Sequence, residues 1–398
     1  MLTILLLIFL WLFGLSGIIY ESDESRVQRI KEVDLLQHGH QKSSLFYEAK
    51  YYLTSHLLYN SDQQDLIQIK QNFPDLLPSA KSDSDSGSKT IGSKNSRDFI
   101  DCSQNLASQM LSYATLYGIA RSIKYKPLIP HGNLLEETFG HNLYAEVAER
   151  ASFHKLHFTS FAAHSNLDYD ARYFSIPIDF VTIDSHVVLM GEFSSWRYFQ
   201  RFDPEILNQF QFSDFLYLSI RNSVENEKRQ CKKNNCTLVG VSLDFTPLKM
   251  CEHLASRCRT QLNNEDGKKD LLKEINKEFL LLAIRYLSFN HPRIHLLILT
   301  NEISLLQHVL RNYLLSIPSA FTFTLFDNRR LTEADSLDLL LSCEHVVFNG
   351  GLLPFWAAYL LTARNPLSRT IYCASESPNH AKHFHNLFFP TWVPLYPL

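Results

Sequence analysis

The residues of this chain with the clearest capacity for chemistry are Asn349, Gly350 and Gly351, set between an apolar run and a helix-like segment. His345-Val346-Val347-Phe348 has the length and β-branching of a buried strand. Only glycine reaches positive φ without penalty, so Asn349-Gly350-Gly351 predicts a tight turn. Residues 352–361 then predict a helix with Pro354 in its first turn. A strand, a glycine turn and a helix together make a phosphate cradle, because free backbone N–H groups and the helix dipole point at the turn. A buried strand–helix unit that binds nothing has the same pattern.

Metal chemistry finds less support. Seventeen His and seven Cys contain neither a CxxC nor an HExxH spacing. Cys251 and Cys258 are seven apart and Cys231 and Cys236 five apart, and neither spacing is a zinc ligand pattern by itself. The odd cysteine total leaves at least one thiol free or paired with another chain. Asn235-Cys236-Thr237 forms a glycosylation sequon, with a cysteine at its middle position. A net charge of −3 with 20% charged residues supplies no concentrated basic face, which argues against a nucleic-acid partner.

The elements that must position these residues follow in chain order. Residues 1–20 carry no charge and are almost wholly apolar, a length that suits a membrane span. No Lys or Arg precedes them, so an uncleaved signal anchor is expected, with cleavage near residues 14–17 as the alternative. Either way the rest of the chain would enter the secretory pathway, where disulfides are permitted. Residues 21–98 read as a stem: 45–58 have helical apolar spacing, and 79–96 are polar and low in complexity, too poor in apolar surface to offset ordering entropy.

The globular body is expected from Phe99. A short strand at 99–102, a helix over 106–122 and an extended segment at 126–130 predict the opening of a Rossmann-like domain. Residues 131–184 read as loop-rich, 187–190 as a strand and 205–212 as a helix or turn. From Leu238 onward strand and helix patterns alternate: 238–245, 270–287, 294–300, 301–315, 321–326, 335–342 and the segment at 345–361. That order predicts a parallel sheet wrapped by helices. On the 270–287 helix, Leu271, Leu272, Ile275, Phe279, Leu282 and Tyr286 mark the expected buried side. Two such units, joined near residues 225–237, predict a two-domain α/β architecture with a cleft between them.

Three segments, in order, resemble the α-1,2-fucosyltransferase family of Golgi glycosyltransferases. Gln104-Asn105-Leu106-Ala107-Ser108-Gln109-Met110, continuing to Tyr113-Ala114-Thr115-Leu116-Tyr117, resembles that family's opening G-x-L-G-N-Q-M…YA-x-LY. Residues 191–199 (GEFSSWRYF) resemble G-Y-F-Q-S-W-x-Y-F, and residues 343–360 resemble the closing strand plus G-G-T-F-G-W-W-x-A-Y-L. The resemblance spans residues 99–398. It implies a GT-B-like α/β fold of two Rossmann-like domains facing a cleft, behind an N-terminal membrane anchor and stem. The implied divisions are 1–20 anchor, 21–98 stem and linker, 99–232 acceptor-side domain and 233–398 GDP-sugar domain. It also implies inverting transfer of fucose from GDP-fucose to a galactoside hydroxyl of a glycan (α-1,2 linkage), no metal or other cofactor, and a single-pass type II Golgi membrane protein with a lumenal body.

The departures bear on mechanism. The family's His-x-Arg-x-Gly-Asp aligns with Ser242-Leu243-Asp244-Phe245-Thr246-Pro247, so a carboxylate stands where an Arg would grip the diphosphate. In the transferase reading Asp244 becomes the base or faces away. Ser242, Asn349, Gly350 and Gly351 lie on the donor side, Arg329 and Arg330 are candidate replacement cations, and Gln109 and Trp196 fall on the acceptor side. The other reading is a catalytically degenerate lumenal protein that keeps the fold and binds a glycan or a partner protein. Core packing equally explains Trp196, Tyr198 and Trp356. His345 on its apolar strand reads as a satisfied core histidine, and Asp338 and Glu344 as solvated or helix-end charges.

Overall fold

The computed structural model describes residues 52–55, 105–149, 158–162, 186–190, 195–214, 216–245, 265–314, 320–374 and 388–397. The apolar segment at 1–20, the polar segment at 79–96 and the strand expected at 99–102 lie outside them. Among the described residues no helix is long and apolar enough to cross a membrane.

Among the described residues two all-parallel sheets organise the fold. The first joins β1 (Tyr52–Ser55), β2 (Lys126–Pro130), β3 (Glu146–Ala148), β4 (Phe158–Ala162) and β5 (His186–Met190) in the order β3-β2-β1-β5-β4. Its central strand corrects the expectation that residues 21–98 are only a stem. Leu53 pairs with Pro127 on one side and with Val187 on the other. Residues 45–58 were expected to be helical, and a short apolar run cannot be told apart as helix or strand by periodicity alone. Here the neighbours on both edges decide it. The body therefore draws on residues well before Phe99.

The second sheet holds β6 (Thr237–Leu243), β7 (Arg293–Thr300), β8 (Ala320–Asp327), β9 (His345–Phe348), β10 (Thr370–Cys373) and β11 (Val393–Leu395). Their spatial order, β8-β7-β6-β9-β10-β11, is the 3-2-1-4-5-6 arrangement of a doubly wound Rossmann sheet. The alternation expected from Leu238 onward is therefore present, and β10 and β11 extend it. Val239, Val241 and Leu243 point from β6 into a core with Phe279, Leu280, Ala283, Ile284 and Leu287 of the long helix Glu265–Asn290. That helix was expected to bury Leu282 and Tyr286, but both are only half-buried, and its core stripe runs through Leu280, Ala283 and Ile284 instead. On the opposite face of β6, Gly240 lets Leu340 and Cys343 approach: a Cβ there would lie 3.0 Å from Leu340 Cδ2 and 3.1 Å from Cys343 Sγ.

Among the described residues the α-helices are, in chain order, α1 (Leu106–Ile123), α2 (Leu134–Phe139), α3 (Asp203–Gln209), α4 (Arg221–Asn234), α5 (Glu265–Asn290), α6 (Ile303–Leu314), α7 (Glu333–Leu341) and α8 (Leu352–Arg364). The junction expected as a link near 225–237 is the helix α4 running directly into β6, stapled at its end by a Cys231–Cys236 disulfide. Residues 131–184, expected as loop, contribute α2, β3 and β4.

α1 carries little amphipathic bias because it is covered from two directions, by the first sheet and by α7 and α8 of the second half. The Trp356 indole N–H donates to the Ala107 carbonyl at 2.9 Å, and Tyr359 Oη–H donates to buried Asp203 at 2.7 Å. Trp356 is fully buried and stacks against Phe199. At mid-helix, Gly118 admits the chain at 198–199: a Cβ would fall 2.1 Å from the Tyr198 carbonyl oxygen and 2.9 Å from Phe199 Cα. Both obstructions are backbone. Gly118→Ala is therefore expected to cost at least about 2 kcal/mol through overpacking, read as a lowered urea midpoint at unchanged slope.

At the opposite end of the second sheet from the glycine turn, His345 Nδ1 accepts the Arg369 N–H at 2.9 Å. Its Nε2 carries the proton and donates to His291 Nε2 at 3.1 Å, and His291 Nδ1 in turn donates to Thr237 Oγ1 at 3.1 Å. Burial, with His291 and Arg369 nearby, pushes the His345 pKa down to about 4. A base with a depressed folded pKa contributes stability that is present above its unfolded value and lost as pH falls. The window here runs from about 6.5 to about 4, and the loss is about 3 kcal/mol. Urea midpoints measured between pH 7 and pH 4 should fall across this window, and His345→Gln should flatten that part of the slope.

Candidate active site at the strand crossover

The strand order of the second sheet reverses between β6 and β9, and in open parallel sheets ligands bind beyond the carboxyl ends of the strands at such a point. Three neighbouring strands end there in step: Leu243-Asp244 after β6, Phe348-Asn349 after β9 and Thr300-Asn301 after β7. Ser242, Asp244, Asn349, Gly350 and Gly351 are thus brought together.

Their side chains divide the work unequally. The Asn349 amide is buried and grips the backbone of Asp244 from both sides: Oδ1 accepts the Asp244 N–H at 3.1 Å, and Nδ2 donates to the Asp244 carbonyl at 2.7 Å. Nδ2 also donates to Asn276 Oδ1 at 3.1 Å, and the Asn349 N–H donates to the Ser242 carbonyl at 3.3 Å. Expected as a donor-side contact, Asn349 spends its side chain on joining the two strand ends. Asn276, on the buried side of α5, donates to the Asp244 carbonyl at 3.4 Å. Asn301 Nδ2 donates to the Asp244 carboxylate at 3.0 Å, and its Oδ1 accepts the Phe245 N–H at 3.1 Å. Three amides therefore fix the backbone and carboxylate of Asp244. Asn276 and Asn301 were not singled out in the sequence. Their signals are an amide inside an apolar helical stripe and an Asn placed directly after a strand, as Asn349 is.

The turn itself has the predicted character. Gly350 and Gly351 take φ of 154° and 93°, and Gly351 is the N-cap of α8 without any side-chain cap. Pro354 sits in the first turn and brings no N–H. An uncapped helix start presents backbone N–H groups and the positive end of the dipole, a setting that favours an anion. The other family-like helix start differs. At α1 the Asn105 side chain takes the Ser108 N–H at 2.8 Å, and the Glu333 carboxylate from α7 accepts the Leu106 N–H. Burial raises the Glu333 pKa, while the Leu106 and Ala107 N–H groups oppose the rise. The start of α1 is thus satisfied from within the chain, and α7 closes its own with a Thr332–Asp335 capping box.

The remaining sequence candidates fall elsewhere. Arg329 and Arg330 follow β8, the third strand from β9 and about 14 Å away at ordinary strand spacing. Both are exposed and pair with Asp327, Arg329 with both carboxylate oxygens at 2.9 and 3.2 Å, so the structure does not bring them to the glycine turn. Gln109 is buried in α1 and its Oε1 accepts the Leu134 N–H at 2.9 Å, which holds the start of α2. Trp196 lies over Phe389 with ring centroids 4.4 Å apart. Phe389 and Trp392 continue this aromatic wall to Phe355 in the first turn of α8. Asn235 is exposed at the left-handed C-cap of α4. Among the described residues no group of three or more His, Cys, Asp or Glu is placed to hold a metal ion.

No protein-family model matches the sequence, and no curated protein matches it. Among solved structures the chain is similar to POFUT1 in complex with GDP-fucose, at 10% identity and a TM-score of 0.41, over 67% of this chain and 94% of that one. The apo form of POFUT1 gives 10% identity and a TM-score of 0.39 over the same shares, and a GDP complex 11% and 0.37, again over 67% and 94%. Likeness at this level bears on neither site nor activity.

Removing the Asn349 amide takes one partner each from the part-buried Asp244 N–H and carbonyl and from the buried Asn276 oxygen. Asn349→Ala is expected to destabilise the fold by about 2–3 kcal/mol, measured by equilibrium urea unfolding. Asn301→Ala, at a half-exposed position, should cost less.

Proposed function

We propose that this chain is a glycosyltransferase that uses GDP-fucose and moves fucose, with inversion, to a galactoside hydroxyl of a glycan in an α-1,2 linkage. One observation carries the reading: the uncapped start of α8, reached through Gly350 and Gly351, lies at the crossover point of a doubly wound sheet. There the donor diphosphate accepts hydrogen bonds from the backbone, and the helix dipole stabilises the charge that develops as GDP departs. Asp244 is the base. The acceptor hydroxyl oxygen attacks the anomeric carbon, the bond to the GDP oxygen breaks, and the acceptor proton passes to the Asp244 carboxylate. Chemistry of this kind needs no metal. The three family-like segments support the reading, with the body in the Golgi lumen behind a type II anchor.

A second reading has its own observation. Asp244 places negative charge beside the turn where the family carries an Arg, and a carboxylate repels a diphosphate. Under that reading the chain keeps the fold and binds a glycan or partner protein without transferring sugar.

Calorimetry with GDP and GDP-fucose separates the two, on a chain that retains β1. The transferase reading expects both ligands to bind. Asp244→Asn should bind GDP several-fold more tightly, because a repelling charge is removed, while losing transfer. A folded wild-type sample that binds neither ligand overturns it and leaves the second reading.

A further inference from the structure

We infer that Asn235 accepts an N-linked glycan only before the corner between α4 and β6 closes, so that the Cys231–Cys236 disulfide and the glycan compete for one segment. The sequence contains a single Asn-x-Ser/Thr site, Asn235-Cys236-Thr237. An enzyme that modifies such a site must reach the Asn amide and the Thr hydroxyl on one pliable strand of chain. In the folded protein the Asn235 side chain is exposed, but everything around it is held. Its backbone is left-handed at φ 51°, and its N–H donates back into the last turn of α4. The Cys236 N–H donates to the Cys231 carbonyl at 3.0 Å, inside the ring that the disulfide closes. Thr237 is the first residue of β6, paired with Ile294, and its hydroxyl accepts from His291 at 3.1 Å. On the other flank, Arg293 donates to the Asn234 carbonyl at 2.6 Å. The sequon is thus split between a helix cap and a sheet strand.

Two reactions then draw on the same unfolded segment. In one, the Cys231 and Cys236 thiols give up two electrons and two protons to a disulfide donor of the oxidising compartment, and the S–S bond forms. In the other, the Asn235 amide nitrogen attacks the anomeric carbon of a lipid-diphosphate oligosaccharide, loses a proton and expels the lipid diphosphate. If the disulfide and the corner close first, they obstruct the transfer. A glycan attached early remains compatible with the fold, because Asn235 faces solvent. This inference rests on the proposed secretory location.

The test presents the full-length chain to an oligosaccharyltransferase with a lipid-linked oligosaccharide in two forms: native and oxidised, or reduced and unfolded. Modification at Asn235 should be several-fold greater in the reduced, unfolded chain and close to absent in the native one. Equal modification of the two forms, or none in either, overturns the inference. In secretory cells Cys231→Ser, which leaves the sequon intact, should raise occupancy above wild type, and unchanged occupancy counts against the inference. A second sequon appended at the C-terminus tests the location separately: if it stays unmodified, the secretory reading fails while the result on the purified chain stands.

Discussion

The second half of the molecule depends on one side-chain amide. Asn349 sits where β9 ends and bonds to both faces of the Asp244 peptide backbone, in the place where a further ladder pair would lie had the strands continued. Parallel strands that diverge at a crossover leave backbone groups without partners, and burial makes each of them costly. Asn349 satisfies those groups, and Asn276 and Asn301 add the support of α5 and β7. The half-buried glycine turn follows directly on this anchored residue.

Among the described residues the two halves meet through helices, with hydrogen bonds from Leu106 to Glu333, from Trp356 to Ala107 and from Tyr359 to Asp203. α1 is buried on nearly every side: the chain at 198–199 reaches it at Gly118, α8 through Trp356 and α7 through Glu333. Several residues of the segments at 104–117 and 343–360 serve packing and hydrogen bonding within the chain. Much of their content is packing: Trp356 fills the contact between halves, Gln109 holds α2, and Asn105 caps α1. Residues that serve packing in this way position the scaffold without defining what it binds.

Charge distribution decides how the crossover point can work. The start of α8 is a positive partial charge whose N-cap, Gly351, has no side chain to answer it, and the Asp244 carboxylate is held close to the same strand ends. The two can serve one reaction if the anion lies on the helix and the carboxylate faces the neutral acceptor. They oppose each other if the diphosphate must pass over Asp244. Arg329 and Arg330 cannot rebalance the account from the far side of the sheet, where Asp327 engages them.

How much of this was legible in the sequence follows from the range of each interaction. Period and composition determined the alternating elements after Leu238, the helix at α1 and the glycine turn before α8, because these rest on contacts between residues near one another in the chain. The parallel strand order and the amide cluster were decided only in the tertiary structure. Asn276, Asn301 and Asn349 converge on Asp244 across separations of 32, 57 and 105 residues. The strand at Tyr52–Ser55 was hidden for the same reason: four residues have no period that distinguishes helix from strand, and only pairing on both edges made them the centre of a sheet. Gln109 and Arg329 show the limit from the other side. Their types suited a binding role, but Gln109 is engaged by Leu134, 25 residues on, and Arg329 by Asp327, two residues back.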